Sequence, residues 1–484
     1  MKRRLAFIVF ISGAVVMILE LVGSRVVAPH LGSSTFVWTS LIGTVLGALS
    51  LGYYLGGHYA DRSPSYQKLG WILFAAAISV LLTTLSKDIL ALIVRGNIED
   101  LRLASIVTSI FLFGPTSILL GMVSPYCIRL AMKDLDHSGA TVGKLYAIST
   151  AGSILGTFLG GFWLISLLGT TLILYTLSIV LLILSLVAGR TAIIIPVGVL
   201  LTLLVNLVFD HSSSSASKNV IDLDTEYQRV WLVNSSEGNR AVRMLATGPY
   251  GYQSGMFLDT REPTSGYLST FATVIDGFQQ RKDILAIGGA GIILPRRLAE
   301  RYPQSSIHVV ELDPGMTSVA RNFFGLTNLP NLTIEHVDGR IFLNRTNKMF
   351  DVITLDAFTG CISIPFHLIS EEALREVARL LKPRGIILQN VIGALEGDAS
   401  IITRHVVRTF QQAFSHVSVY PVDPQMPAYE VQNLAVVASH HSISELSGLS
   451  NKWDHRDIDS LQPFTDDYAP LDYQMLAVYK ALQN

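Results

Sequence analysis

From Leu5 to Phe209 apolar stretches of about 18–25 residues recur with short polar breaks, the length at which a helix crosses a bilayer. From Asp210 onward charged residues return at the density of a water-soluble protein. Stretches at 5–28, 36–58, 69–86, 103–132, 143–167, 170–188 and 191–209 predict seven membrane-crossing helices. Gly43 and Gly47, Gly52 and Gly56, and Gly152, Gly156 and Gly160 recur four apart. Such spacing gathers small residues on one helical face, where a neighbouring helix packs closely. Pro115 and Pro125 interrupt the fourth stretch, and a kink is expected there. The segment His211-Ser-Ser-Ser-Ser-Ala-Ser217 is small, polar and aperiodic, as a linker is.

The second half carries a different period. Residues 227–233, 240–245 and 254–258 have strand-like spacing between turn residues and suggest a small antiparallel sheet. Strand and helix patterns then alternate through 283–288, 294–301, 307–312, 314–322, 332–335, 350–355, 371–381, 384–391, 400–413 and 416–420. That order predicts a mostly parallel, doubly wound sheet with ligands at the carboxyl ends of its strands. The expected architecture is a multi-pass α-helical membrane domain fused to an α/β doubly wound, Rossmann-like domain with a small N-terminal β-sheet. Its parts are a membrane domain over 1–210, a linker over 211–219, a β subdomain over 220–282 and a nucleoside-binding domain over 283–484.

Composition narrows the chemistry. The chain is 50% hydrophobic and 15% charged with a mean hydropathy of +0.44, and its net charge of -1 argues against a nucleic-acid partner. Its two cysteines, Cys127 and Cys361, argue against a structural disulfide and a cysteine metal site, and no divalent-metal cluster is expected. Lys2, Arg3 and Arg4 precede a first helix that is read as retained. Glu20 and Arg25 in that helix are read as an interhelical pair or interfacial anchor, with a substrate path as the alternative. Arg62, Lys68, Arg129, Lys133, Lys144 and Arg190 fall on the same side as the N-terminus, which the positive-inside rule makes cytoplasmic. Seven spans would then put the second half outside. Nucleoside chemistry favours the cytoplasm, which requires residues 87–102 to hold an extra crossing or a re-entrant pair. The expectation is a multi-pass protein of the cell (inner) membrane with a cytoplasmic catalytic domain.

Residues 284–313 read as strand, glycine turn, helix, strand and terminal acid. Gly288, Gly289 and Gly291 let backbone pass close to a ligand, and Glu311, about 20 residues on, can accept from two ribose hydroxyls. Further acids close the next strands: Asp313 after Glu311, Asp338 before Gly339, and Asp356 after Leu355. Nucleoside binding fits these places in order, the first acid on the ribose, the next on the adenine amino group, the last beside the reacting centre. Ile292 and Ile293 stand where a dinucleotide fold would spell out its third glycine, so NAD is disfavoured.

Together, Ile287-Gly-Gly-Ala-Gly291, Val310-Glu-Leu-Asp313, Val337-Asp-Gly339, residues 350–360 with Ile364-Pro-Phe-His-Leu368, and Thr465-Asp-Asp-Tyr-Ala-Pro470 resemble the membrane-fused branch of the spermidine synthase family. Glu20-Leu-Val-Gly-Ser-Arg25, Leu31-Gly-Ser33 and Gly56-Gly-His-Tyr-Ala-Asp-Arg62 extend the resemblance into the membrane half. It implies a spermidine synthase-type fold and aminopropyl transfer from decarboxylated S-adenosylmethionine to a polyamine, with release of methylthioadenosine and no metal. Tyr267 matches the family's substrate-site tyrosine and Gln253 its glutamine near the nucleoside. Asp466 and Asp467 are further acids for the amine end. Pairing into a homodimer is left open. His367 is read as capping or orienting the following helix, with a proton shuttle as the alternative.

Two departures stand out. Gly291 replaces an aspartate of the glycine loop, and Thr359 replaces a second aspartate three residues after Asp356, the usual base for the amine. Asp356, Tyr267 or the Asp466–Asp467 pair would have to substitute. With fewer acids the site is also open to intact S-adenosylmethionine, for methyl or aminocarboxypropyl transfer or for lyase or cyclase cleavage. A nucleoside-sensing transporter is the further alternative.

Overall fold

The computed structural model describes residues 3–132, 138–189, 219–248, 251–264, 266–358, 362–442, 446, 449–454 and 458–483. The chain divides into two compact units, Met1–Lys218 and Asn219–Asn484.

Among the described residues, six helices of the first unit are long and apolar enough to cross a membrane. They are α1 (Arg3–Leu31), α2 (Thr35–Arg62), α3 (Tyr66–Asn97), α4 (Leu101–Ala131), α5 (Ser138–Leu159, continued by a wider π-helical turn, Gly160–Leu164) and α6 (Ile165–Gly189). The expected span at 191–209 and the linker over 211–218 lie outside the described residues. Polar caps set the starts: Ser65 accepts from the Lys68 amide, and Asp100 accepts from the amides of Arg102 and Leu103.

Residues 87–102 hold neither an extra crossing nor a re-entrant pair. Helix α3 runs unbroken to Asn97 and α4 begins at Leu101, leaving three residues between them. The sequence pattern ended this helix near Ser86 because Lys87 and Asp88 look like a boundary. Instead both stay helical, with Lys87 Nζ 2.9 Å from Asp88 Oδ2 and His30 Nε2 of α1 3.0 Å from Asp88 Oδ1. Helix α4 is likewise continuous through Pro115 and Pro125. Glycine seams form where expected for Gly52 and Gly56, which meet the backbone of Ile118 and Met122, and for Gly152 and Gly156, which meet that of Phe10 and Ala14. Gly43 and Gly47 face open space instead, beside the exposed Ile42 and Leu46.

In the second unit a four-stranded antiparallel meander comes first: β1 (Val220–Asp224), β2 (Arg229–Glu237), β3 (Arg240–Ala246) and β4 (Ser254–Phe257). Strand β1 begins where the linker was expected to end, and its alternating Asp222 and Asp224 hide it from hydropathy. A seven-stranded sheet follows, built from β5 (Asp283–Ile287), β6 (Ser306–Val310), β7 (Leu332–Glu335), β8 (Phe350–Leu355), β9 (Leu381–Gly393), β10 (His416–Pro421) and β11 (Gln432–Ser439). Its order is β10-β11-β9-β8-β5-β6-β7. Strands β9, β8, β5, β6 and β7 are parallel, whereas β11 runs antiparallel to both β9 and β10. The sheet is therefore mixed, and β11 was not expected.

Every residue of β8 is buried, as a central strand covered on both faces requires. The helix Glu371–Leu380 shows how the covering works: Ala373, Leu374, Val377 and Leu380 recur at helical spacing and are buried, while the Ser370 hydroxyl accepts from the Ala373 amide at its start. On the opposite flank the helix Tyr267–Gly277 buries Leu268, Phe271, Ala272 and Ile275.

Candidate active site

Parallel pairing brings four strand ends to one rim. The Asp356 amide donates to Ile287 O (2.8 Å), Gly288 N to Val310 O (2.9 Å), and Glu311 N to Glu335 O (3.0 Å). The residues just past β8, β5, β6 and β7 thus stand side by side. Gly288 makes this closeness feasible: its φ of +76° suits glycine, and a Cβ there would strike the Asp356 carbonyl. Gly291 has φ +75° and lies next to Ser254 and Phe324, while Gly289 begins the short 3₁₀ turn.

At the β8 end, Tyr267 OH lies 3.0 Å from Asp356 Oδ2 and 2.8 Å from Gln253 O. Asn390 Nδ2 donates to Asp356 Oδ1 at 3.4 Å. The register explains this contact: Leu355 pairs with Gln389 across parallel strands, so Asp356 and Asn390 are adjacent and share a face. Burial pushes the Asp356 carboxyl up to about 7, against the hydrogen bonds from Tyr267 and Asn390. The buried Tyr267 hydroxyl is held well above its usual range by burial and by the neighbouring carboxylate. One phenolic proton serves two acceptors here. An ionised Asp356 receives it, and a protonated Asp356 donates to the phenol oxygen while Tyr267 turns to Gln253 O.

Glu311 is buried, and the Asp313 amide donates to its Oε1 at 3.0 Å. Burial raises its carboxyl to about 7. Asp313, two residues on, is occupied structurally: its Oδ1 caps the helix Pro314–Phe323 at Gly315, and its Oδ2 receives the Thr225 hydroxyl at 2.5 Å. Asp338 also caps a helix, Gly339–Arg345, with Oδ1 accepting from the amides of Arg340 and Ile341. Its Oδ2 lies 3.2 Å from His367 Nε2. Beyond it, Arg340 donates to His367 O and pairs with Asp466 at 2.8 Å, and the Ser370 hydroxyl bonds the same Asp466 at 2.5 Å. Asp466 is thus engaged by an arginine, and Asp467 is exposed. Thr359 lies outside the described residues.

The structure therefore gathers Gln253, Tyr267 and Asp356 into one hydrogen-bonded group, and links Asp338 to Asp466 through Arg340. Asn390 was missed by the sequence reading. Its signal was available, since Gln389 and Asn390 are amides inside the apolar run Ile386–Val391 at a carboxyl strand end. Two buried polar atoms on these elements, Ser254 Oγ and Asn390 Oδ1, have no protein partner. Such atoms are costly unless something else satisfies them, which fits a pocket that receives a polar ligand. Among the described residues no group of His, Cys, Asp and Glu is arranged to hold a metal ion.

Residues 267–444 match the spermine/spermidine synthase domain. A polyamine aminopropyltransferase of Vibrio vulnificus is 33% identical over 134 residues, covering 27% of this chain and 43% of the relative. An eEF1A lysine and N-terminal methyltransferase of Bos taurus is 29% identical over 119 residues, 22% of this chain and 17% of that protein. The chain thus spans less than half the length of either curated relative. A crystal structure of a probable spermidine synthase from Corynebacterium glutamicum covers 52% of this chain and 98% of its own, with 19% identity and a TM-score of 0.44. The glycine turn, the strand-end acids and the family match over residues 267–444 fall on the same unit, and that part of the chain is similar to the spermine/spermidine synthase domain.

Proposed function

We propose that the protein is a membrane-anchored transferase that moves the aminopropyl group of decarboxylated S-adenosylmethionine to an amine and releases methylthioadenosine. The observation that carries it is Asp356, a carboxyl raised to about 7 and hydrogen-bonded by Tyr267 at the end of β8, beside the glycine turn. A base near neutrality is what an amine nucleophile needs, because an ammonium has no lone pair to attack with. Polyamine aminopropyltransferases among the relatives support the same chemistry.

Glu311 is the group for the ribose hydroxyls, Asp338 for the adenine amino group, and Gly288, Gly289 and Gly291 let the backbone approach the nucleoside. The bound nucleoside supplies a carbon activated by a sulfonium leaving group. Asp356 takes a proton from the amine, and Tyr267 follows that change by shifting its hydroxyl toward Gln253 O. The nitrogen lone pair then forms the C–N bond as the C–S pair returns to sulfur. Gln253 and Tyr267 orient the acid through this step. The apolar helices supply the anchor, and an even number of crossings, as among the described residues, returns the second unit to the cytoplasmic side that suits a nucleoside substrate.

A second reading, methyl transfer from intact S-adenosylmethionine, is favoured by the methyltransferase relative and by the absence of the loop aspartate at Gly291. Product analysis separates the two. Methyl transfer leaves S-adenosylhomocysteine, and aminopropyl transfer leaves methylthioadenosine with a lengthened amine. If purified full-length protein forms only S-adenosylhomocysteine, the aminopropyl assignment is lost.

A further inference from the structure

The nucleophile side of the site contains an acceptor that nothing so far uses. Asn390 is 1% exposed, its Nδ2 donates to Asp356 Oδ1, and its Oδ1 has no partner. With the amide nitrogen committed to a carboxylate, the oxygen is the end left for another donor. A buried carbonyl without a donor is rare unless a ligand completes it. The carboxylate it bonds is Asp356, and Glu311, the other acid that acts on Asp356, is assigned to the ribose. Asp466 is held by Arg340 and Ser370. The described acid of this group is Asp356 alone, flanked by a phenol and a carboxamide.

We propose that Asn390 is a substrate-binding residue whose Oδ1 accepts an N–H of the attacking amine, and that the site thereby selects a singly charged primary amine over a polycation. One carboxylate balances one ammonium. When Asp356 has taken that proton, amine and acid are both neutral, and Asn390 still holds the nitrogen by a neutral hydrogen bond while its lone pair faces the sulfonium-bound carbon. The C–N bond forms, the C–S bond breaks with its pair going to sulfur, and the product leaves as a secondary ammonium. Further ammonium groups of a spermidine-like substrate would meet no described carboxylate in this group, a costly arrangement in a buried pocket. The inference rests on the aminopropyl-transfer reading and names the substrate class of the same site.

The test is steady-state kinetics of the detergent-solubilised full chain with decarboxylated S-adenosylmethionine and n-butylamine, putrescine or spermidine as acceptor. The expected kcat/KM for n-butylamine exceeds that for spermidine by about tenfold or more. Asn390→Ala should raise the amine KM by about tenfold while leaving methylthioadenosine affinity by calorimetry unchanged. Asn390→Asp, which adds a carboxylate at nearly constant shape, should move the preference toward putrescine and spermidine. Turnover that prefers spermidine and does not respond to either variant would overturn the inference and leave aminopropyl transfer standing. Absence of turnover with every amine, with methylthioadenosine still bound, would overturn both.

Discussion

Glu311→Gln is the change whose consequence can be worked furthest. Burial lifts the Glu311 carboxyl from 4.5 to about 7. Near pH 6 most molecules therefore hold a proton on Glu311, and near pH 8 most do not. A carboxylate accepts from both hydroxyls of a ribose, whereas the acid form must spend one oxygen as a donor. With a value near 7 the ionised fraction climbs from roughly one tenth at pH 6 to nine tenths at pH 8, so nucleoside affinity should rise by about tenfold, ~1.4 kcal/mol. Binding should also release protons near pH 7, because the ligand favours the ionised form. Replacing Glu311 by Gln removes a charged acceptor, a loss of about 1.5–3 kcal/mol at pH 8, and flattens the pH response. Calorimetric titration of methylthioadenosine into the solubilised full chain at three pH values, in buffers of different ionisation enthalpy, reads both effects. Asp356 titrates in the same range, and Glu311 contributes to its rise. Asp356→Asn is therefore the control and should keep most of the pH response. A flat wild-type profile together with near-normal affinity in Glu311→Gln would refute the ribose assignment.

Asp356→Asn should lower transfer by about 100-fold or more and abolish the limb of the rate profile that rises with pH through about 7, measured by product formation across pH 5.5–9. Its folded-state value is raised from 3.8 to about 7, so its contribution to stability is complete below the unfolded value and is lost as pH climbs to about 7; the variant should lose less Tm than the wild type across that range. Gly288→Ala forces a Cβ against the Asp356 carbonyl at positive φ, and a cost of about 1–3 kcal/mol should appear as a lowered Tm and weakened methylthioadenosine binding. Thr359→Asp should raise aminopropylation of spermidine, read by mass spectrometry. No gain with the nucleoside site intact would mean that position 359 does not face the amine.

Much of this architecture is visible in residue patterns because the physics behind it is local. Apolar length marks α1 to α6, and the acids and glycines mark the carboxyl ends of the parallel strands. What escaped depends on pairing between distant segments. Strand β11 is an apolar run without alternation, and only its antiparallel seat between β9 and β10 makes it a strand. Strand β1 alternates aspartates with apolar residues and gains its identity from β2. Helix α3 passes through Lys87 and Asp88 because His30, far away in sequence, helps to complete their ion cluster. In the site, the Asp356–Asn390 contact follows from the register of β8 on β9, which no spacing in the chain announces. Asp313 and Asp338 show the reverse problem. Their sequence positions suggest ligand binding, and in the structure their side chains cap helices, so position at a strand end does not by itself separate the two roles.

The most direct test of the transfer chemistry is mass spectrometry of purified full-length protein incubated in one tube with S-adenosylmethionine and in another with decarboxylated S-adenosylmethionine plus mixed amines. The expected result is methylthioadenosine with an aminopropylated amine in the second tube only. Methylthioadenosine from the first tube without any amine, or S-adenosylhomocysteine in its place, would contradict aminopropyl transfer and assign the site to cleavage or methyl transfer instead.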